Sequence, residues 1–372
     1  MSQPIRTLQI FTIMDRGGAE TNIMNYYRKL DRSKFQFDFI VHREKIGAYE
    51  SEIIELGGKI TRFLPFNPFK NKAYKKQISN FFDHNDYKII HGNCSELGYY
   101  IYKEASKRNI PVIIAHAHNA TDGWNLKSPF RWYYKNKMRS YVNTYFSCGN
   151  LASIWLFGKK NAPKAFTMSN AIDTNNFRYN NAKDLLMRQN LDCENSTNLL
   201  HVGRFCAQKN HTFLIDIFVK LIKINPNSKL FLVGDGGEFQ STILAKVKKL
   251  ELQEKIIFLG SRSDVNEIAQ AMDIFLFPSL FEGLPVSLVE AQAAGLKCII
   301  SDGVPEESIL IPNNVEVISL QKSSKYWAEK ITAFTNHRKT DVSQIITDKK
   351  YDINANVIIL ENKYSELLKI NS

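Results

Sequence analysis

The sequence predicts an α/β protein built from two doubly wound parallel sheets, and three observations carry that prediction. Strand-like and helix-like segments alternate along most of the chain. Short β-branched runs separated by helical stretches of about 10–15 residues make parallel sheets, because parallel neighbours need a long crossover between them. The chain has 372 residues, more than one ordinary core serves, so two domains are the default. A hydrophobic fraction of 44% with 12% aromatics fills both cores and excludes a disordered chain.

Taken in order, the first half offers "LQIFTIM", "QFDFIVH", "KIIHGN", "VIIAHAHN" and "TYFSCG" as strands, with helical patterns between them. The second half repeats the rhythm with "NLLHVGR", "SKLFLVGDG", "KIIFLG", "IFLFPS" and "KCIISD". The boundary falls near "TMSNAIDTNNF", residues 167–177, separating a first domain at 1–170 from a second at 171–352. The final stretch, "ANVIILENKYSELLKI", has the pattern of an amphipathic helix, about residues 353–372, whose expected course is back to the first domain.

The N-terminus, "MSQPIRTLQIFTIM", runs directly into a strand and lacks the charged, apolar and small-residue order of a signal peptide. No apolar run reaches membrane-spanning length. The five cysteines, at 94, 148, 193, 206 and 298, are scattered and never form CxxC, as expected for reduced thiols in the cytoplasm and not for a zinc site. Charge is uneven. Residues 1–170 hold 26 Lys and Arg against 13 Asp and Glu, a balance of +13, whereas 171–372 hold 23 against 24, or −1. The basic half suits an anionic surface or acceptor, the alternative being an ordinary solvated face.

Ligands of open α/β sheets bind beyond the carboxyl ends of the strands, so the segments that follow strands form the functional map. After the first strand, "DRGGAETN" places Gly17 and Gly18 in a loop of little bulk. There a phosphate or sugar can approach the backbone, or a tight turn simply needs small residues. The loop is neither GxGxxG nor a Walker loop, which leaves a dinucleotide or P-loop reading with little support. After "HVGR", Arg204 ends a strand and Lys209 opens the next helix; the two cations suit a diphosphate, the alternative being exposed surface charges.

The stretch "FPSLFEGLPVSLVEAQAAG", residues 277–295, places Glu282 in a loop after an apolar strand and Glu290 inside a helix that Pro285 opens and Gly295 closes. The N–H groups of Leu284, Val286 and Ser287 form, with the helix dipole, an anion site to which Pro285 gives no donor. Two carboxylates cannot serve that anion. They suit donor-rich neutral groups such as sugar hydroxyls, a ribose for Glu290 and a hexose for Glu282, unless Glu290 is salt-bridged to a neighbour. A nucleoside diphosphate sugar satisfies all three features together. "VIIAHAHNATDGW" adds His116 and His118 at a strand end, with no carboxylate cluster to complete a metal site. No DxD occurs in the chain. The diphosphate is therefore expected to be neutralised by Arg204, Lys209 and the helix N-terminus, with no divalent metal and no cofactor.

These residues together resemble the retaining glycosyltransferases of family 4, most nearly the bacterial branch that builds capsular, exopolysaccharide and lipid-linked glycans. The resemblance covers nearly the whole chain: the Gly-Gly loop at 17–18, "HAHN" at 116–119, "VGR…KN" at 202–210, "LVGDG" at 232–236, "FLGSRSDV" at 258–265, and the E-x7-E pair Glu282 and Glu290 followed by "AQAAG". It implies the GT-B fold, two Rossmann-like domains facing a central cleft. It also implies that Arg204 and Lys209 bind the diphosphate, that Glu290 holds the ribose and that Glu282 contacts the sugar's 3- or 4-hydroxyl. His118 matches the family's active-site histidine, near the sugar and acceptor, with His116 supporting it. The loop from Gly260 to Arg262 lies where the family holds the base. The donor loop reads "EGLP" where many relatives have "EGFG", so Leu284 and Val286 carry the phosphate contact here. The implied reaction is transfer with retention from a nucleotide sugar, UDP-linked by preference, to a glycan or polyprenyl-diphosphate-linked acceptor, with domain closure assembling the site.

Two rivals come from other classes: a sugar-nucleotide 2-epimerase of the same fold, and a basic nucleic-acid-binding protein. The second lacks any zinc, helix-turn-helix or RNP-like signature, so no nucleic-acid partner is expected. Two segments of the basic half suit the inner face of a membrane instead. "FLPFNPFKNKAYKKQISNFF", residues 63–82, combines Lys70, Lys72, Lys75 and Lys76 with Phe66, Phe69 and Tyr74. "KSPFRWYYKNKMR", residues 127–139, interleaves Arg131 and other basic residues with Phe130, Trp132, Tyr133 and Tyr134. The expected location is cytoplasmic and peripheral.

Overall fold

The computed structural model describes residues 3–65, 67, 71–119, 128–334 and 337–371. The chain divides into two units, Met1–Ala171 together with Ile353–Ser372, and Ile172–Asp352, each built round one parallel sheet.

Seven strands form the first sheet: β1 (Ile5–Ile10), β2 (Phe35–Val41), β3 (Ile60–Arg62), β4 (Ile89–Gly92), β5 (Val112–Ala117), β6 (Thr144–Ser147) and β7 (Phe166–Thr167). Their order is β3-β2-β1-β4-β5-β6-β7, every pair parallel. β1 pairs with β2 from Ile5↔Phe35 to Ile10↔Ile40 and, on its other edge, with β4 from Thr7↔Ile89 to Ile10↔Gly92. The chain winds outward to β3, returns beside β1 and then winds the other way. The loops after β1 and β4 therefore part at a switch point, the place where such sheets receive ligands.

The second sheet repeats the plan with β8 (Thr197–Val202), β9 (Ser228–Val233), β10 (Ile256–Gly260), β11 (Ile274–Phe277), β12 (Lys297–Ser301) and β13 (Val315–Ile318). Its order is β10-β9-β8-β11-β12-β13, and the switch lies between β8 and β11, where Ile274 pairs with Leu199 and Phe275 with Leu200. The segments after those two strands carry Arg204, Lys209, Glu282 and Glu290.

β2, β5 and β12 are buried at every position, as strands covered by helices on both faces must be. The helix Ile353–Asn371 belongs to the first unit's core. Val357, Leu360, Tyr364 and Leu367, spaced along one helical face, pack in a cluster with Phe35, Phe37, Ile114 and Phe146. In the second unit Leu199, Leu230, Ile274 and Ile299 meet Ile217, Leu221 and Trp327 from the covering helices.

Three strands have no counterpart in the sequence reading, β3, β7 and β13, and each lies at a sheet edge. They are short and incompletely buried, so no hydrophobic run marks them. No described helix is long and apolar enough to cross a membrane.

Candidate functional site

The two turns at the second sheet's switch point are tied together by side chains. After β8 the chain passes Gly203 and Arg204, makes a 3₁₀ turn at Ala207–Lys209 and enters the helix His211–Ile224. Lys209 thus closes the turn and does not open the helix. Its stem lies across Gly203, where a Cβ would fall 2.9 Å from Lys209 Cε, so glycine gives the side chain its path. Lys209 Nζ ends 2.7 Å from Glu282 Oε1 and 4.4 Å from the centre of the Phe277 ring. Gln208 Nε2 donates to Glu282 Oε2 and to the Phe281 carbonyl, each at 3.0 Å, while the Gln208 carbonyl accepts from Leu280 N–H at 2.8 Å.

The sequence separates Lys209, toward a diphosphate, from Glu282, toward a sugar; the structure makes them one ion pair. The reason is burial. Glu282 is 7% exposed, and a carboxylate so placed needs a partner. Both groups retain capacity, since an ammonium has three donors and each carboxylate oxygen a further lone pair.

Glu290 is the opposite case. It lies in the helix Val286–Ala293 among mostly buried neighbours, and its half-buried carboxyl has no hydrogen-bond or ion-pair partner among the described residues. The salt bridge held open as an alternative is not formed. Loss of hydration pushes the carboxyl up to about 7. The helix starts after Pro285, whose carbonyl accepts from Leu288 and Val289, and the N–H groups of Val286 and Ser287 have no partner among the described residues. Leu284 and Val286 bury their side chains, so the backbone is the part of each that a ligand can meet. Gly295 follows the helix with φ +75, a left-handed turn that suits glycine at a helix end.

Arg204 is exposed, and its guanidinium forms no hydrogen bond or ion pair among the described residues. Arg262, beyond Gly260, is held within its own loop: Nε lies 2.8 Å from Asp264 Oδ1 and Nη2 2.5 Å from Asp264 Oδ2.

At the first sheet's switch point Gly17 precedes the helix Gly18–Lys29. A Cβ on Gly17 would collide with the Glu20 carboxylate at 2.3 Å, whereas one on Gly18 would meet nothing within 4 Å. Gly18 therefore leaves open room after β1.

A closed polar network lies beside it, beneath the ends of β1, β4 and β5. Tyr364 Oη is 2.6 Å from His91 Nδ1, and His91 Nε2 is 3.0 Å from His116 Nδ1. The His116 and His118 rings lie 3.9 Å apart, and His118 Nε2 is 2.9 Å from Asn93 Oδ1. Asn93 Nδ2 donates to Gln9 Oε1 at 3.0 Å, and Gln9 Nε2 returns to Tyr364 Oη at 3.4 Å. Burial holds His91 and His118 down to about 3 and His116 well below its ordinary value, so all three stay neutral. Sequence reasoning found His116 and His118 but missed Gln9, His91, Asn93, Tyr364 and, in the second unit, Gln208. Asn93 was legible as the residue that follows a strand end; Tyr364 carried no local signal at all.

On the basic face, Lys72, Lys75 and Lys76 lie on the helix Lys72–Asp83, with Lys75 Nζ 4.7 Å from the centre of the Tyr100 ring. Lys70, Phe66 and Phe69 lie outside the described residues. Tyr74 is buried and bonds His42 Nε2 at 2.9 Å, so it serves the core and not a surface. On the helix Ser128–Met138, Phe130, Trp132 and Tyr133 are exposed while Tyr134 is buried, and Arg131 Nε lies 3.5 Å from Glu96 Oε1. No cluster of three or more His, Cys, Asp or Glu among the described residues is placed to hold a metal ion.

Two parallel sheets of seven and six strands, each with polar residues gathered at its switch point, define a two-domain Rossmann-like protein of the GT-B class. The structure of HepE from Anabaena, solved in complex with UDP and glucose, matches with a TM-score of 0.80 at 18% identity, over 97% of this chain and 100% of that one. Residues 183–355 match the family model for glycosyl transferases group 1. EpsF of Bacillus subtilis (strain 168), which bears a glycosyltransferase name, is 31% identical over 377 residues, covering 97% of this chain and 96% of its own. CapH of Staphylococcus aureus, a capsular polysaccharide biosynthesis glycosyltransferase, is 25% identical over 348 residues, 90% of this chain and 92% of its own. The chain belongs to the group 1 glycosyltransferases, of the type that builds exopolysaccharide. Neither the epimerase nor the nucleic-acid reading is favoured by these relatives.

Proposed function

We propose that this glycosyltransferase moves a sugar from a UDP-linked donor, with retention, to a glycan or polyprenyl-diphosphate-linked acceptor in surface polysaccharide synthesis. One observation carries the donor assignment: Glu290, a half-buried carboxyl with no partner among the described residues, lies in the segment after β11 that also holds Glu282 and two helix N–H groups without partners among those residues. Ribose hydroxyls would supply the donors Glu290 lacks. The diphosphate would take the N–H groups of Val286 and Ser287, the free guanidinium of Arg204 and a remaining proton of Lys209. HepE, with UDP and glucose bound, supports the choice of base and sugar class.

In this reading the bond from the anomeric carbon to the diphosphate breaks with its electrons on phosphate, where Arg204 and Lys209 hold the growing charge. The acceptor oxygen bonds the same face of the carbon, and its proton passes to a phosphate oxygen. Glu282, fixed by Lys209 and Gln208, orients a sugar hydroxyl, and in the first unit His118 is the residue expected to meet a substrate hydroxyl. No divalent ion is called for in this reading, because Arg204 and Lys209 would supply the positive charge that one would bring. Gly18 leaves open room after β1, and the Gly260–Arg262 loop would lie beside the base. The exposed Trp132 with Arg131, Lys70, Lys72, Lys75 and Lys76 would rest on an anionic inner membrane surface to reach a lipid-linked acceptor.

The test is a thermal-shift panel of UDP- and GDP-sugars followed by transfer assays on any binder. A UDP-sugar should raise Tm as RT ln(1 + [L]/Kd) requires, and Glu290→Gln should abolish the shift. Stabilisation by GDP-sugars alone would overturn the base assignment.

A further inference from the structure

The network around His118 contains one atom whose role is fixed beyond choice. Asn93 Nδ2 lies 3.2 Å from the His91 carbonyl oxygen, which can only accept, so the Asn93 amide cannot be turned over. From there every proton can be placed. Asn93 Oδ1 faces His118 Nε2, so His118 donates from Nε2 and keeps a lone pair on Nδ1, which has no partner among the described residues. Asn93 Nδ2 also donates to Gln9 Oε1, so Gln9 presents its Nε2 to Tyr364 Oη. That hydroxyl accepts from Gln9, and His91 Nδ1 is the one acceptor among the described residues for its own proton, so the proton goes to His91. Neutral His91 must then carry its proton on Nε2 and donate to His116 Nδ1. Neutral His116 is left with a proton on Nε2, an atom that is fully buried and has no partner among the described residues.

We propose that Asn93 and Tyr364 are positioning residues that lock His91, His116 and His118 in the Nε2–H tautomer. They leave His118 Nδ1 as an acceptor and His116 Nε2–H as an unmet donor on the adjacent ring. The lone pair on the partly exposed His118 complements a hydroxyl proton, whereas the His116 donor, fully buried, is out of reach of a sugar. The chemical class thus assigned is an alcohol, a sugar hydroxyl or the water that stands in for it. His118 acts as a neutral acceptor and not as a proton donor. The proposal rests on the reading that His118 meets substrate, and it adds the C-terminal helix to the working parts of the first unit.

The experiment is two-dimensional NMR of protein carrying ¹⁵N-labelled histidine, with the eight histidines assigned through single His→Gln variants. In the wild type all three residues should show a protonated Nε2 and a bare Nδ1 from pH 6 to 8. Tyr364→Phe removes only a hydroxyl from a packed ring and should keep the fold. It should mix the tautomers of His91 and His116 and leave His118 unchanged, whereas Asn93→Ala should mix those of His118. UDP release from whichever of UDP-glucose, UDP-galactose and UDP-N-acetylglucosamine the enzyme turns over should fall about 10-fold in kcat with KM unchanged in both variants. An Nδ1–H signal from any of the three in the wild type would overturn the proposal, as would unaltered tautomers in both variants. Full turnover by His118→Ala would sink the reading of His118 while leaving the tautomers as measured, so the two failures are distinct.

Discussion

Lys209 Nζ lies 2.7 Å from Glu282 Oε1, although the residues stand on different turns of the second unit, one after β8 and the other after β11. This pair joins the two halves of the switch point. It gives Glu282 a structural part, since removing the cation strands a buried carboxylate. Lys209→Ala should cost about 3 kcal/mol of stability. A double-mutant cycle with Glu282→Ala, read from urea unfolding at pH 7, should return much of it as coupling. Additive losses would mean the two groups act independently.

Glu290 gives a pH dependence whose sign can be worked out. Its folded-state pKa of about 7 is raised above the ordinary 4.5, so the protonated form favours the folded state. That stability is present below about pH 4.5 and lost as pH rises through 7, by at most on the order of 3 kcal/mol. Glu290→Gln should therefore be more stable than wild type at pH 8 and equal to it near pH 4.5. Ligand binding runs the other way, because the carboxylate accepts at both oxygens and more strongly than the acid, which keeps a proton of its own. UDP affinity should strengthen from pH 6 to 8 in the wild type and stay flat in Glu290→Gln, as isothermal titration can read.

Arg204 makes no side-chain hydrogen bond or ion pair among the described residues, so its removal separates function from folding. Arg204→Ala should keep the wild-type Tm and lose roughly 10²-fold in kcat. Activity should persist in EDTA. Complete loss in EDTA, restored by Mg²⁺ or Mn²⁺, would show that a divalent ion holds the diphosphate and that the guanidinium has another task.

The exposed trio Phe130, Trp132 and Tyr133 and the lysines of the helix Lys72–Asp83 make vesicle binding measurable. Sedimentation should need anionic lipid, weaken with salt and fall sharply when Lys72, Lys75 and Lys76 become Glu. Equal binding to neutral vesicles would assign these charges to a soluble acidic acceptor.

The sequence revealed most strands and the residues that follow them, because buried parallel strands are continuous apolar runs and functional loops start where those runs stop. Edge strands escaped for the converse reason: Ile60–Arg62 and Phe166–Thr167 are too short and too exposed to leave a pattern. At the site, residue types were legible and pairings were not. Nothing local to Glu282 says that Lys209, rather than a sugar, meets it first. Tyr364 was unreadable because its partners, His91 and Gln9, are brought to it by tertiary packing from the far end of the chain.

The chain leaves the first unit at Ala171 and re-enters it at Ile353, which sets a timetable for the nascent polypeptide. The ribosome delivers the second unit as one unbroken span, able to complete its sheet while the first still waits for a missing wall. Until residues 353–371 emerge, Phe35 and Phe37 lack the Tyr364 ring against which they pack, and His91 lacks the hydroxyl that orients it. Domains usually mature in the order in which they are made. Here the half that is synthesised first is finished last, so an incomplete chain holds its histidines unset and its apolar sheet face open to chaperones.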